Sequence, residues 1–232
     1  MKKLLIVLLA SAMTLCACNR QENPYVLAYG TVTMRPTADG SYFMEVAENT
    51  ALTPRTKVAY PFKESEKRLI IRYADYGPAT ISIQGYSETR LVDLQAADTI
   101  ATKAPVPHTS DDAAAYGNDK IGLYLGDTVF PTTMIEDGYL CVAFVFPFSD
   151  PDNNHTINLV YGANPDDPYE VQLRYNAGGD EPLMEGQGYI NFPLKSLPDT
   201  NGKTVKLTLK WNSSATGTTA STSFDYCSRT DW

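Results

Sequence analysis

The sequence predicts an all-β protein with two domains, an OB-like barrel followed by an antiparallel β-sandwich. Apolar and polar residues alternate with a period of two in several segments, most clearly at 171–176 and 205–212. Such alternation is typical of antiparallel sheets that bury one face and expose the other. Gly, Pro, Asn and Asp interrupt these segments as turn residues do, and no apolar stripe of helical period is long enough to compete with the strands.

The N-terminal segment has the form of a secretion signal. Two lysines precede an apolar stretch at 4–10, which is shorter than the roughly 20 residues that span a bilayer. The motif Leu-Cys-Ala-Cys at 15–18 resembles the lipobox of bacterial lipoproteins, with a small alanine directly before the acylated Cys18. We therefore expect a signal peptide over 1–17, a lipid on Cys18 and a polar tether over 18–24. An ordinary secretory peptide cleaved elsewhere is the alternative.

A lipid on Cys18 has consequences for location and partners. Two or more acyl chains attach a protein stably to a membrane, so we expect an envelope protein anchored to the outer membrane, on its periplasmic or its surface side. The formal net charge of −8 makes nucleic acid an unfavourable partner, because phosphate contacts dominate that affinity. The expected partners are the membrane, through the lipid, and an envelope protein or a glycan.

The mature chain divides at a segment that does not alternate. Five strand candidates precede this segment and suit a small OB-like barrel over 25–100; they lie at 26–34, 42–46, 69–73, 80–84 and 90–94. The segment 101–116 is rich in Pro, Ala, Ser and Asp and is predicted to be a linker. Seven candidates follow and suit a β-sandwich over 117–232; they lie at 121–130, 139–148, 156–161, 169–176, 188–193, 204–211 and 221–227.

Several motifs resemble the NigD-like lipoproteins of Bacteroides and its relatives. They are the lipobox, Gly-Asn-Asp-Lys-Ile at 117–121, His-Thr-Ile-Asn-Leu-Val at 155–160 and Val-Gln-Leu-Arg-Tyr-Asn-Ala-Gly-Gly-Asp at 171–180. The resemblance covers essentially the whole mature chain and implies an N-terminal OB domain and a C-terminal β-sandwich. It also implies a role in bacteriocin immunity, through the operon association that gave the family its name.

Catalytic motifs are not evident, and we predict no enzyme activity, no catalytic residue and no cofactor. The chain has two histidines, His108 in the predicted linker and His155 at the start of a strand. A triad of His108, Ser110 and Asp111 is unfavourable, because consecutive linker residues seldom hold the geometry that it needs. A cryptic hydrolytic site around His155 and the loop 150–152 is the enzymatic alternative.

Cysteines and acidic loops offer two weaker hypotheses. Cys141 lies in an apolar strand and is expected to be a buried free thiol, although an oxidising envelope would also permit a Cys141–Cys227 disulfide. The loops 150–154 and 165–168 gather oxygen atoms that calcium could use. The first loop lacks the glycine and glutamate of an EF-hand, so no metal is predicted.

Tyrosines and threonines supply the remaining candidate sites. Five barrel tyrosines could form a stacking surface for a glycan, namely Tyr25, Tyr29, Tyr42, Tyr73 and Tyr86. Core packing is the alternative role for them, because tyrosine is a good strand former. The Asp-Thr-aliphatic motifs at 98–100 and 127–129 resemble O-glycosylation sites, and the first makes Thr99 the candidate acceptor.

Taken together, these features predict a lipid-anchored, non-enzymatic envelope protein that binds a partner. A glycan-binding lipoprotein and a cryptic hydrolase are the alternatives, since neither fold specifies a function by itself.

Overall fold

The computed structural model describes residues 25–47, 49–126, 131–150, 152–181 and 183–230. The predicted signal peptide, Cys18 and the tether lie outside these residues. Within the described ranges, no helix has the length and apolar composition of a bilayer-spanning segment.

The N-terminal domain is a closed barrel of five strands in the order β1-β2-β3-β5-β4. The strands are β1 (Val26–Pro36), β2 (Tyr42–Ala47), β3 (Thr50–Pro54), β4 (Lys67–Pro78) and β5 (Glu88–Thr99). Strands β3 and β5 run parallel, and the other neighbouring pairs are antiparallel. Apolar side chains from all five strands fill the interior, including the fully buried Val32, Met44, Leu52, Leu69, Ile71 and Val92. The predicted OB-like barrel is confirmed.

Two barrel segments differ from their sequence prediction. The predicted strand at 80–84 belongs to the loop between β4 and β5, where Ile81 is 54% exposed and Gly85 has a φ of 92°. A short alternation cannot keep a strand extended between Pro78 and such a glycine turn. Strand β3 was not predicted, because its Thr-Ala-Leu-Thr-Pro sequence alternates only weakly. It forms because β2 and β5 pair with its two edges.

The C-terminal domain is a sandwich of two sheets. One sheet has the order β6-β13-β10-β8, with β9 also paired to β10, and the other has the order β15-β14-β12-β11-β7. The strands are β6 (Ala101–Thr102), β7 (Val106–Pro107), β8 (Gly122–Leu123), β9 (Met134–Glu136), β10 (Tyr139–Phe148), β11 (Thr156–Tyr161), β12 (Glu170–Asn176), β13 (Met184–Pro193), β14 (Val205–Asn212) and β15 (Thr219–Tyr226). The core lies between the sheets and includes Leu140, Val142, Leu159, Val171, Phe192, Leu207 and Leu209.

The structure differs from the predicted linker at 101–116. Strand β6 adds to the edge of β13, and β7 adds to β11 in the other sheet. Helix α1 (Asp112–Tyr116) follows, with Asp111 as its N-cap. The segment is rich in proline yet ordered, because short edge strands tolerate residues that lack an N–H donor. It therefore fastens the barrel to both sheets of the sandwich.

A network of buried charges joins the two domains. Arg35 of the barrel donates to Asp137 of the sandwich at 2.6 Å and to Glu45 of the barrel at 2.7 Å. Arg229, near the C-terminus, donates to Glu66 of the barrel at 2.7 Å. Burial opposes ionisation of Glu66, but hydrogen bonds from Arg229 and Tyr139 outweigh it and lower the pKa of Glu66 to about 2.

A second group at this junction surrounds Arg68, whose side chain is 1% exposed. Its guanidinium donates to Thr33 of the barrel at 2.8 Å, and to Glu136 at 2.5 Å and the Cys141 sulfur at 3.3 Å in the sandwich. Burial raises the pKa of the Cys141 thiol, which keeps it protonated. We call the two groups together the junction.

Candidate functional site

Three residues of the sequence motifs at 155–160 and 171–180, His155, Tyr175 and Asp180, meet at the end of the sandwich that lies far from the junction. Strand β10 runs from Tyr139 at the junction to Phe148 at this end, a distance of about 30 Å at the usual rise per residue. His155 directly precedes β11, and Tyr175 on β12 pairs with Ile157. The chain that follows β12 returns to this place with Asp180, close to Ser149 at the end of β10.

Asp180 ties the loops together. Its carboxylate accepts hydrogen bonds from the backbone N–H of Ser149 at 2.8 Å and of Asp150 at 3.2 Å, and from the Ser149 hydroxyl. The ring Nε2 of His155 lies 3.1 Å from the same carboxylate, and its Nδ1 bonds the Tyr175 hydroxyl. The hydrogen bonds from Ser149 are the main reason that the pKa of Asp180 is well below its usual range. Burial raises the pKa of Tyr175 to about 12.

Gly178 allows the two loops to approach this closely. Its φ of 65° lies in the left-handed region, and a Cβ at this position would come within 2.9 Å of the Asn154 carbonyl oxygen. A larger residue would therefore be strained and would also collide with the neighbouring loop. The Gly-Gly-Asp sequence at 178–180 thus places the Asp180 carboxylate beside His155.

The cluster of Ser149, His155 and Asp180 lacks the connection that a serine nucleophile requires. In a catalytic triad the histidine accepts the serine proton and the carboxylate orients the histidine. Here the Ser149 hydroxyl donates to Asp180 rather than to His155, and both ring nitrogens of His155 already have partners. This arrangement can hold two loops in place, but it does not activate Ser149.

An aromatic cleft opens between the two sheets beside this cluster. Phe144, Phe146 and Phe148 project from β10 toward the other sheet, with ring centroids 5.7 and 5.8 Å apart along the row. The Phe146 ring lies 5.5 Å from the His155 ring and 6.0 Å from the Tyr175 ring. We call this space the tip cleft, defined by Phe144, Phe146, Phe148, His155 and Tyr175.

The tip cleft has two compartments that share Phe146 and His155. The inner compartment, about 190 Å³, is mostly apolar and also contacts Thr156 and Ile157. The outer compartment, about 300 Å³, has a more polar wall made by Asp150, Asn153 and Asn154. Mixed aromatic and polar walls of this kind are typical of small-molecule and saccharide sites.

The five candidate tyrosines of the barrel do not share one surface. Tyr42 and Tyr73 are 5% and 7% exposed and pack in the barrel core. Tyr86 donates to Glu45 and accepts from Arg35, so it belongs to the junction. Tyr25 packs on Tyr76 with the ring centroids 5.4 Å apart. Tyr29 is 63% exposed.

The other predicted residues have simple environments. Thr99 is exposed at the end of β5, where its glycosylation stays a prediction. His108 pairs with Asp112 at 2.7 Å, whereas Asp111 accepts from the Ala114 N–H, so the linker histidine forms no triad with Ser110 and Asp111.

Cys141 and Cys227 are both free thiols, the first buried and the second exposed. In the part of the chain that the structure describes, no three His, Cys, Asp or Glu side chains are grouped to hold a metal ion.

Comparison with known proteins places this architecture in a family. The family model described as the NigD-like C-terminal β-sandwich domain matches residues 104–226. A solved protein from Parabacteroides distasonis, described as toxin related, is 25% identical with a TM-score of 0.64, over 88% of this chain and 94% of that one.

Two further solved structures share the fold at lower identity. A NigD-like immunity protein from Bacteroides caccae has a TM-score of 0.57 at 18% identity, over 88% of this chain and 98% of that one. A protein from Bacteroides fragilis, described as a lipoprotein, has a TM-score of 0.57 at 12% identity, over 88% of this chain and all of that one. No curated protein matches. The match of the family model over residues 104–226 shows that the chain belongs to the NigD-like family.

Proposed function

We propose that this protein is a lipid-anchored envelope protein that binds a ligand in the tip cleft without converting it. The observation that carries the proposal is the cleft itself, in which Phe146 faces His155 and Tyr175 across the gap between two sheets, with Phe144 and Phe148 on either side of it. The hydrogen-bonded loops give the cleft a fixed shape before any ligand arrives, and such preorganisation lowers the entropy cost of binding. The hydroxyl of Ser149, the most evident candidate nucleophile, donates its hydrogen bond to Asp180 and has no histidine acting as its base.

The lipid anchor is the part of the proposal that concerns location. It is supported by the lipobox at 15–18 and by a structural relative described as a lipoprotein. Metabolic labelling with a fatty acid should mark the natural chain, and Cys18→Ser should abolish both the label and the membrane association. A Cys18→Ser protein that kept the label would show that the anchor is elsewhere.

Site-specific crosslinking in the native envelope tests binding at the tip cleft. A photoreactive residue is placed at the exposed Asp152 in the loop beside the cleft, and a matched one at Lys57 on the barrel, whose side chain is 63% exposed. The proposal expects a crosslinked product, protein or glycan, that depends on the Asp152 position. The proposal is wrong if the two positions give the same products or if Asp152 gives none.

Bacteriocin immunity is a narrower form of the same proposal. The description of a structural relative as an immunity protein suggests it, and a toxin would then be the ligand. Deletion of the gene should in that case sensitise the strain to a toxin that it produces itself. Unchanged sensitivity would reject this form and leave the binding proposal intact.

A further inference from the structure

Two phenylalanine rings of the tip cleft, Phe144 and Phe146, pack over positions of the neighbouring strand that have no side chain. Gly186 and Gly188 on β13 pair with Phe146 and Phe144 on β10. A Cβ at either glycine would come within 2.7 Å and 2.3 Å of the respective ring carbons. Phe144 and Phe146 therefore each cover a glycine on one side. On the side toward the other sheet, Phe146 packs near His155 and Tyr175, and its remaining surface lines the cleft. Aromatic rings over glycines also stabilise such strand pairs.

Polar groups border these rings at the mouth of the cleft. Asp150 and Asn154 are exposed, and Asn153 is half-buried. One oxygen of Asp150 accepts from the Asp152 N–H, which leaves its second oxygen for a ligand. Among the described residues, none hydrogen-bonds the side-chain amide of Asn154. A carboxylate oxygen and an amide beside an aromatic face provide both acceptors and donors next to an apolar wall.

This combination matches the chemistry of a pyranose ring. A sugar presents C–H groups on one face, which contact an aromatic face weakly but favourably, and hydroxyl groups around its edge. The hydroxyls can donate to Asp150 and can both donate to and accept from Asn154. The local carboxylates and the net charge of −8 disfavour sugars that carry acidic groups. Exposed Met184, which pairs with Phe148, extends the apolar surface at this end of the cleft.

We infer that the tip cleft binds a neutral glycan, which contacts the exposed part of Phe146 and is hydrogen-bonded by Asp150 and Asn154. This inference rests on the proposed function and names the class of its ligand. The inferred glycan site lies at the far end of the sandwich, whereas the sequence predicts one on the barrel tyrosines.

A glycan array tests the inference with the full lipoprotein in detergent. The probes are neutral oligosaccharides of glucose, xylose, mannose and galactose, together with uronic acid polymers as acidic controls. We expect binding to at least one neutral series. Phe146→Ala should weaken it about tenfold or more, and Asn154→Ala about fivefold.

The matched control is Phe62→Ala, which removes a partly buried barrel ring that packs on Tyr60. It should leave glycan binding unchanged. Asn154 is exposed, so its variant should fold even if Phe146→Ala does not. The inference is overturned if no neutral glycan binds. It is also overturned if Asn154→Ala binds the glycan as tightly as the natural chain and the control Phe62→Ala do.

The crosslinking experiment separates failure of this inference from failure of the proposed function. A protein product at Asp152, with no glycan on the array, would reject the sugar and retain a binding cleft that takes an apolar peptide. The absence of any product at Asp152 together with an empty array would reject both.

Discussion

The junction and the tip cleft lie at opposite ends of β10 and differ in the kind of side chain that they bring together. The junction buries three arginines, Arg35, Arg68 and Arg229, and each of them forms an ion pair with a carboxylate of the other domain. The tip cleft gathers aromatic rings that remain partly exposed, with polar groups at its rim. Buried charges must be matched by fixed partners, so they suit a permanent contact. Partly exposed rings retain free surface, which suits an exchangeable one.

The largest expected effect is at Arg68. Its replacement by methionine should lower the free energy of unfolding by about 3 kcal/mol, because the partly buried Glu136 would lose its ion-pair partner and keep only the hydrogen bond from Thr31. Arg90→Met is the matched control, since Arg90 pairs with Asp75 and Glu88 at a more exposed position, and it should cost about 1 kcal/mol or less. Urea denaturation of the full chain measures both.

A double variant shows whether the loss of stability at Arg68 comes from the unpaired charge of Glu136 or from lost packing around the guanidinium. Arg68→Met with Glu136→Leu should recover much of the lost stability, because no unpaired charge remains. If the double variant is as unstable as the single one, packing around the guanidinium dominates and the ionic account is wrong.

The pH dependence of stability should report on Glu66. Its folded pKa of about 2 lies below the usual 4.5, so the ionised carboxylate stabilises the protein above about pH 4.5, and this contribution is lost as pH falls toward 2. We expect a loss of about 2–3 kcal/mol over this range, and a flatter profile in Glu66→Gln. Thermal denaturation at a series of pH values measures it. Equal slopes in both proteins would contradict the assignment.

A smaller effect is expected at the glycines under the cleft rings. Gly186→Ala should cost about 1–2 kcal/mol, because the new Cβ pushes the Phe146 ring from its place. Phe146→Leu should relieve part of that cost, which a double-mutant cycle would detect as coupling. Additive costs would mean that the alanine acts on the backbone alone.

The smallest effect is expected at Tyr29. Tyr29→Ser should change the free energy of unfolding by less than about 0.5 kcal/mol, because the ring is mostly exposed. Tyr73→Ala, in the barrel core, should cost about 3 kcal/mol or more. Chemical denaturation of the two variants compares them. A large cost at Tyr29 would indicate a packing partner for its ring.

The sequence predicted the two architectures because alternation and turn residues are local signals. The junction has no such signal: Arg35 and Asp137 are 102 positions apart, and Arg229 and Glu66 are 163 apart. Their pairing depends on how the barrel and the sandwich meet, which no local pattern encodes. The segment at 101–116 was mistaken for a linker because prolines and small residues also occur in edge strands.

The tip cleft was partly visible in the sequence. His155, Tyr175 and Asp180 belong to the quoted motifs, but their convergence follows from the pairing of β11 with β12. The alternating phenylalanines at 144–148 and the alternating glycines at 186–188 could have been matched as neighbours if the register of β10 and β13 had been known. The abundance of tyrosine in the barrel segment favours a site there instead, because composition shows how many rings are present and not which of them are exposed.

The junction also limits how far the tip cleft can move relative to a membrane anchor. A lipid on Cys18 would leave seven residue steps to Tyr25, which reach at most about 25 Å when fully extended. Because the buried charges hold barrel and sandwich together, the tether then sets the radius within which the cleft can move. A ligand in the same layer of the envelope would experience a high local concentration of binding sites, whereas one beyond that layer would encounter none.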